Sequence, residues 1–333
     1  MEVLLLAVSF AVILSGALLF TNAVEWIGHR LALGEGAVGS LLAAVGTAMP
    51  ETLIAIVAII GAAEGADQVA IGAIVGAPFL LGTLAMGLVG LFAYLYRSRR
   101  DQGVELNAHR PTLERDLIFF LIFFAFSLAL AWGAPAALRI PAGIAVMLAY
   151  PLYIRRTLRA GGDVQDQETL NPLIFERRSE RREDPALLLC VLQLLAGLGA
   201  MVGGAHLFVE ELLHIAESLG VEAVVLVLVL APLATELPEK VNSFFWVREG
   251  KDSLALGNIT GAMVFQSTIP VGIGLIFTDW NLTGNAALSV VLGLAGGLLA
   301  YEVLHRRGRF ELPAVIAWFA LYTAFIVVVA VGA

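Results

Sequence analysis

Apolar residues along this 333-residue chain come in long runs, and most polar residues fall in the breaks between them. A helix rising 1.5 Å per residue needs about 20 apolar residues to cross a bilayer. Ten runs meet that length, at 3–23, 36–62, 68–96, 115–133, 137–154, 187–209, 221–247, 252–277, 283–303 and 311–331. The pattern predicts an all-α polytopic membrane protein with ten transmembrane helices. Only one polar segment is long, residues 155–186. It separates a first five-helix unit at 1–154 from a second at 187–333, and reads as a disordered cytoplasmic linker loop. Its acidic residues lack the spacing of a Ca²⁺-binding loop.

Composition agrees with this reading. The chain is 59% hydrophobic, with a mean hydropathy of +0.88, more apolar surface than a water-soluble domain can hide. The first 20 residues lack the basic start and small-residue cleavage site of a signal peptide, so they are expected to remain as the first span. The single Cys190 rules out an intrachain disulfide and any CxxC metal site.

The net charge of −8 says little by itself, because the charges are sorted by loop. With the N-terminus outside, 18 of the 20 Lys and Arg residues fall on inward loops, leaving only Arg139 and Lys240. Such sorting supports both the helix number and the orientation. Glu64, Asp67, Glu210, Glu211, Glu217 and Glu222 gather on the other side. Short loops and the lack of targeting extensions point to a prokaryotic inner (plasma) membrane.

One acidic motif occurs twice. GTAMPE occupies Gly46–Glu51, ATELPE occupies Ala234–Glu239, and Gly16–Glu51 aligns with Gly204–Glu239 at a constant offset of 188. Gly16, Ala17, Leu19, Phe20, Ile27, Leu31, Ala43, Thr47, Pro50 and Glu51 are among the identities. A second repeated segment follows each motif at an offset of 185: EGADQVAIGAIVGAPFLLG from Glu64 and EGKDSLALGNITGAMVFQS from Glu249. Its small residues Gly72, Gly76, Gly257 and Gly261 read as helix-packing positions. Five spans per unit is an odd number, so the two units enter the membrane from opposite sides. They are therefore two inverted five-helix repeats, whose motifs meet near the midplane. Alternating access follows from that geometry.

A carboxylate at bilayer depth costs at least ~2.5–3.5 kcal/mol, so two in matched positions, Glu51 and Glu239, point to function. Pro50 and Pro238 remove backbone donors and are expected to kink or break their helices. That frees carbonyls such as those of Thr47 and Thr235. Carboxylates, carbonyls and hydroxyls make an all-oxygen site for a hard cation such as Na⁺ or Ca²⁺. Glu236 and Gln266 hold positions from which they can add oxygens. Lys240 modulates the site charge in one of three ways: pairing with Glu236 one turn away, snorkelling to the inner face, or reaching Glu239. Asn242, Ser243, Ser267, Thr268 and Thr83 read as ordinary helix hydrogen-bonding groups. Trp26, Trp132, Trp280 and Trp318 read as interfacial anchors.

GTAMPE with GAIVGA, and ATELPE with GNITGA, resemble the two alpha-repeats of the cation/calcium exchanger superfamily, which includes the sodium/calcium exchangers. The usual repeat is close to GTSLPE followed by GNxxGSNxFN. The resemblance covers essentially the whole chain. It implies an antiporter moving Ca²⁺ against Na⁺ or H⁺, with the ion site on Glu51 and Glu239 and contributions from the Thr47 and Thr235 carbonyls. It also implies that the first and sixth helices slide as a gate against the other eight. Several positions depart from the pattern: Ala48 and Glu236 replace the motif Ser, Ala77 and Ala262 a second Ser, and Leu81 and Gln266 a downstream Asn or Asp.

The function expected is a secondary antiporter exchanging Ca²⁺ for Na⁺, without a cofactor, acting as a monomer in the lipid bilayer and without nucleic acid. The alternatives are H⁺-coupled exchange of Ca²⁺ or another divalent ion, and a degenerate ion-sensing relative that does not transport. No HExxH, phosphate-binding loop or nucleophile–base set points to an enzyme.

Overall fold

A computed structural model describes residues 2–30, 48–61, 65–133, 135–159, 172–176, 185–282 and 284–332. Within the helix at 223–248, the side chains of residue 234 and residues 237–242 are outside that description. Among the described residues the regular structure is helical, apart from an isolated bridge between Glu105 and Arg309. Its helices are α1 (Glu2–Arg30), α2 (Met49–Gly61), α3 (Ala66–Leu95), α4 (Arg110–Gly133), α5 (Arg139–Arg159), α6 (Leu187–Leu219), α7 (Ala223–Arg248), α8 (Asp252–Phe277), α9 (Gly284–Glu302) and α10 (Leu312–Gly332).

Eight helices among the described residues are long and apolar enough to cross a membrane: α1, α3, α4, α5, α6, α8, α9 and α10. The described part of the expected span 36–62 is α2, and its earlier residues up to 47 lie outside the description. In α7 the apolar stretch is only Ala223–Leu233, because Glu236, Glu239 and Lys240 follow it.

Two helices are irregular at equivalent points. In α3 a π-helical segment, Leu81–Ala85, follows Pro78, which supplies no N–H to the preceding turn. α8 stops at Gln266 and resumes at Ile269. Pro270 in its second part has no N–H to return to the Gln266 carbonyl, so the ladder cannot run through. Hydroxyls close the gap: Thr268 Oγ1 lies 2.8 Å from the Val264 carbonyl and 3.0 Å from that of Phe265.

Loop contacts define two faces. On one, the turn after α3 meets the turns before α8 and before α10: the Leu106 N–H donates to Gly308 (2.9 Å), Gln102 Nε2 to Gly250 (3.1 Å), and the His109 N–H to Ser253 Oγ (2.9 Å). This face carries Arg97, Arg99, Arg100, Arg110, Arg248, Arg306, Arg307 and Arg309. On the other, Trp132 Nε1 donates to the Leu282 carbonyl at 3.0 Å, and Arg139 approaches Asp279.

α3 and α8 are the most enclosed spans, and α1, α5, α6 and α10 form the periphery. Glycine lets helices approach closely. A Cβ at Gly72 would lie 2.9 Å from Val227, and one at Gly76 would lie 3.0 Å from the Leu228 carbonyl, so α3 presses against α7. Gly257 has open space around it and serves no such contact among the described residues.

α1 and α6 pair antiparallel through the same device. Gly16 abuts the Gly197 carbonyl and Met201, while Gly204 abuts the Ser9 carbonyl and Ile13. Adding 188 to 16, 9 and 13 gives 204, 197 and 201, so the two contact sets are one set exchanged between equivalent positions. Beyond them, Gln193 Nε2 donates to Asn22 Oδ1 and to the Leu19 carbonyl, both at 2.9 Å.

The tryptophans divide. Trp132 is 65% exposed, but Trp280 and Trp318 are buried, contrary to an interfacial role. Their indole N–H groups are satisfied in the interior by the carbonyls of Ser127 and Gly296, both at 3.0 Å. This removes the need for an aqueous partner.

Candidate functional site

Glu51 lies in the first turn of α2, directly after Pro50. Proline suits this place, since the first turn of a helix needs few backbone donors. Pro50 therefore sits at a helix start, and the backbone of α7 stays helical through Pro238 rather than breaking there. Thr47 lies outside the described residues, as do the side chains of Glu239 and Lys240.

The Glu51 carboxylate is 3% exposed, and Thr235 and Glu236 on α7 are fully buried. The Thr235 hydroxyl reaches Glu51 Oε1 and also lies 2.8 Å from the Ala231 carbonyl of its own helix. One hydroxyl has one proton, so these are alternative acceptors. Donation to Glu51 joins the first motif to the second.

Glu236 Oε1 accepts a hydrogen bond from Gln266 Nε2, at the point where α8 breaks. Gln266 Oε1 is buried without a hydrogen-bond partner among the described residues. Thr235 thus ties α7 to α2 through Glu51, and its sequence neighbour Glu236 ties α7 to α8 through Gln266. Their oxygens suit a hard cation. Among the described residues, no three His, Cys, Asp or Glu side chains gather as metal ligands.

The matching positions of the first half are apolar. Ala48, equivalent to Glu236, packs in a buried cluster with Tyr150, Tyr153, Val264 and Phe265. Leu81, equivalent to Gln266, is fully buried in the π-helical segment of α3.

The other polar groups on these helices are held locally. Thr83 Oγ1 donates to Phe79 (2.6 Å) and Ser267 Oγ to Val264 (3.1 Å) within their own helices, while Asn258 Nδ2 of α8 approaches Ser243 Oγ of α7 at 3.4 Å.

Two buried charged clusters were not read from the sequence. Arg100, after α3, forms a bidentate pair with Asp252 at 2.8 and 2.7 Å. The same guanidinium donates to the carbonyls of Val247, Gly103 and Glu105. Asp116, inside α4, accepts from Tyr153 (2.8 Å) and Thr260 (3.0 Å). The available signal was a lone Asp entering the apolar run LIFFLIFF, but Arg115 beside it marked that point as a span end.

A family profile described as sodium/calcium exchanger protein matches residues 1–158 and 189–331. The putative antiporter CaxA of Alkalimonas amylolytica is 28% identical over 117 residues, which is 35% of this chain and 37% of that protein. The sodium/calcium exchanger MaX1 of Methanosarcina acetivorans is 34% identical over 87 residues, 26% of this chain and 25% of that protein. The chain therefore matches well under half the length of either relative. A crystal structure of the H⁺/Ca²⁺ exchanger CAX superposes over 99% of this chain and 85% of that one, with a TM-score of 0.73 and 18% identity. That likeness is one of fold.

Proposed function

The chain belongs to the sodium/calcium exchanger protein family, and from that premise we propose that it is a secondary antiporter exchanging Ca²⁺ for Na⁺ by alternating access. The relatives it resembles are a putative antiporter, a sodium/calcium exchanger and an H⁺/Ca²⁺ exchanger. One observation carries the reading: a hydroxyl of the second motif, Thr235, reaches the buried carboxylate of the first, Glu51. Two segments 184 residues apart in sequence share one polar centre inside an apolar bundle, as a midplane ion site requires.

In this proposal Glu51 and Glu239 carry the ion. Thr47, Thr235, Gln266 and Glu236 supply further oxygens, and Lys240 sets the net charge. The frame is ten spans in two inverted five-helix repeats, 1–154 and 187–333, joined by a cytoplasmic loop at 155–186. The self-exchanging contacts of α1 with α6 support this, as does the gap in the family match between 158 and 189. The convergence of the arginine-bearing loops on one face supports an N-terminus outside a prokaryotic inner membrane. The working unit is a monomer.

A second reading, H⁺-coupled exchange, is favoured by Ala48 and Leu81. These apolar residues leave fewer neutral oxygens for a set of Na⁺ ions, whereas a proton needs only a carboxylate. Ca²⁺ uptake into proteoliposomes under an outward Na⁺ gradient, with an outward H⁺ gradient in parallel, separates the two. Uptake driven by Na⁺ and abolished in Glu51→Gln supports the first reading. Uptake driven by H⁺ alone moves the chain to the second. Uptake under neither gradient overturns both.

A further inference from the structure

Asp116 is a carboxylate that the glutamate site does not use. It lies six residues into α4 from the arginine-rich face, about 9 Å at helical rise, and is 3% exposed. Tyr153 of α5 donates to its Oδ1 at 2.8 Å, and Thr260 of α8 donates to its Oδ2 at 3.0 Å. Arg115 Nη2 stands 3.7 Å from Oδ1, with its guanidinium 5.8 Å from the centre of the Tyr153 ring. Three helices therefore meet on one carboxylate.

Opposing forces act on its charge. Burial among apolar helices works against the anion, while two hydroxyl donors and a guanidinium work for it. The surroundings also hold unused donors. The Tyr150 hydroxyl and Arg115 Nε and Nη2 are buried without hydrogen-bond partners among the described residues. Unused buried donors are costly unless water or a changing acceptor satisfies them. The Arg115 side chain is 21% exposed, giving the cluster a polar route to the arginine-rich face.

The cluster touches both halves of the ion site. Tyr150 and Tyr153 pack with Ala48, three residues before Glu51, and with Phe265, beside Gln266. Thr260 shares its helix with Gln266.

We propose that Asp116 is a proton-binding site separate from the glutamate pair, with Tyr153 and Thr260 as its gatekeeping donors. The proton enters from the arginine-rich face and forms an O–H bond on the carboxylate. Because Asp116 then becomes a donor, one of the two hydroxyls must turn to accept, and the tie between α4, α5 and α8 changes. Asp116 is thus a positioning residue, acting on the ion site through α8. The titratable and charged neighbours facing it are Arg115, Tyr153 and Tyr150. His305, from the turn after α9, engages Glu114 instead. The inference rests on the exchanger reading for its effect on transport, but not for proton binding itself.

Two readouts test it on the purified full chain. In infrared difference spectra on acidification, the carbonyl band of a newly protonated carboxylic acid is expected in the wild type and missing in Asp116→Asn. An unchanged band in that variant overturns the proposal, whether or not the chain transports. In proteoliposomes, the rate of Ca²⁺ exchange is expected to change about ten-fold per pH unit on one limb of the wild-type profile, as a single-site titration requires. The profile should flatten in Asp116→Asn, return in Asp116→Glu, and persist in Thr260→Val at a lower rate. A wild-type profile in Asp116→Asn, or a flat one in Thr260→Val, would reduce the cluster to a structural tie and overturn its role in exchange. Absence of any exchange in the wild type would count against the exchanger reading, and the infrared result would still decide on proton binding.

Discussion

α3 and α8 occupy equivalent places in the two halves of the chain, yet chemistry has been loaded onto only one of them. Position by position at the 185 offset, α3 carries Ala73, Val75 and Leu81 where α8 carries Asn258, Thr260 and Gln266. The motif before each helix shows the same bias, with Ala48 opposite Glu236. At their first turns, Asp67 is exposed, while Asp252 is buried in a bidentate pair with Arg100. A duplicated scaffold can keep its packing symmetric while its polar groups diverge. Packing keeps the α1–α6 glycine contacts alike in both copies, although Gly72 is tightly packed where its equivalent Gly257 has open space. Polar ligands shared between the halves are needed only once. The first half supplies the carboxylate Glu51 and close-packed glycines. The second supplies most of the neutral oxygens, and the buried ion pair joins the halves, with Arg100 from the first and Asp252 from the second.

The largest effect is expected at that ion pair. Arg100→Met should destabilise the fold by about 3–5 kcal/mol, because it leaves a buried carboxylate without its partner. Asp67→Asn, at the equivalent place in α3, should change stability by about 0.5 kcal/mol or less, as exposed substitutions usually do. Thermal unfolding in detergent measures both. Similar losses in the two variants would erase the distinction drawn between the helices.

Next comes the amide at the α8 break. Gln266→Leu makes the second half resemble the first and strips a donor from buried Glu236. Hydrogen bonds to charged groups are worth about 1.5–3 kcal/mol, so Ca²⁺ affinity should fall about ten- to a hundred-fold. Leu81→Gln should not recover it, since the new amide faces apolar neighbours. Equilibrium Ca²⁺ binding to the two single variants and the double variant measures this.

A similar or smaller and, unlike the others, symmetric effect is expected between α1 and α6. Gly16→Ala and Gly204→Ala each push a methyl into a neighbouring backbone, at a cost of about 1–3 kcal/mol. The two losses should match, because the contacts exchange under the 188 offset. A large loss in one and none in the other would argue against equivalent halves.

The smallest effect lies outside the spans, at Glu311. Hydrogen bonds from Arg307, and then from Arg309, hold its carboxyl below the ordinary carboxylate range. With the folded pKa depressed, its contribution is present above that range and lost as pH falls through the lowered value. Glu311→Gln should lower the neutral-pH melting temperature slightly, leave it unchanged at low pH, and so remove that slight acid dependence.

Much of this organisation was legible in the sequence. Long apolar runs located most described helices to within five residues, because lipid imposes length and composition directly, although α1 runs on to Arg30, past the expected end at 23. α6 is the main exception. It continues ten residues beyond the expected end at 209, to Leu219, because Glu210, Glu211 and His214 are compatible with helix and only mark where the apolar run stops. The two repeated segments marked Glu51, Thr235, Glu236 and Gln266 as candidates, and the fold places Thr235 against Glu51 and Gln266 against Glu236. The pairing of Gln266 with Glu236 was not legible, because the break in α8 sets where the amide points. Asp116 and Arg100 were missed for a related reason. Each lies at the edge of a run, where charge ordinarily means solvent, and only packing against distant helices buries them. The tryptophans failed in the opposite sense: Trp280 lies just past one run and Trp318 inside another, and backbone carbonyls satisfy both inside the protein.

The central claim is that one carboxylate from each half serves a single ion. Equilibrium binding of ⁴⁵Ca²⁺ to the purified chain in Na⁺-free detergent, for wild type, Glu51→Gln and Glu239→Gln, tests it most directly. The account predicts saturable binding in the wild type and a fall of about a hundred-fold or more in either variant, since each removes a charged ligand from a buried site. Full wild-type affinity in either variant would contradict it, because the site would then belong to one half alone.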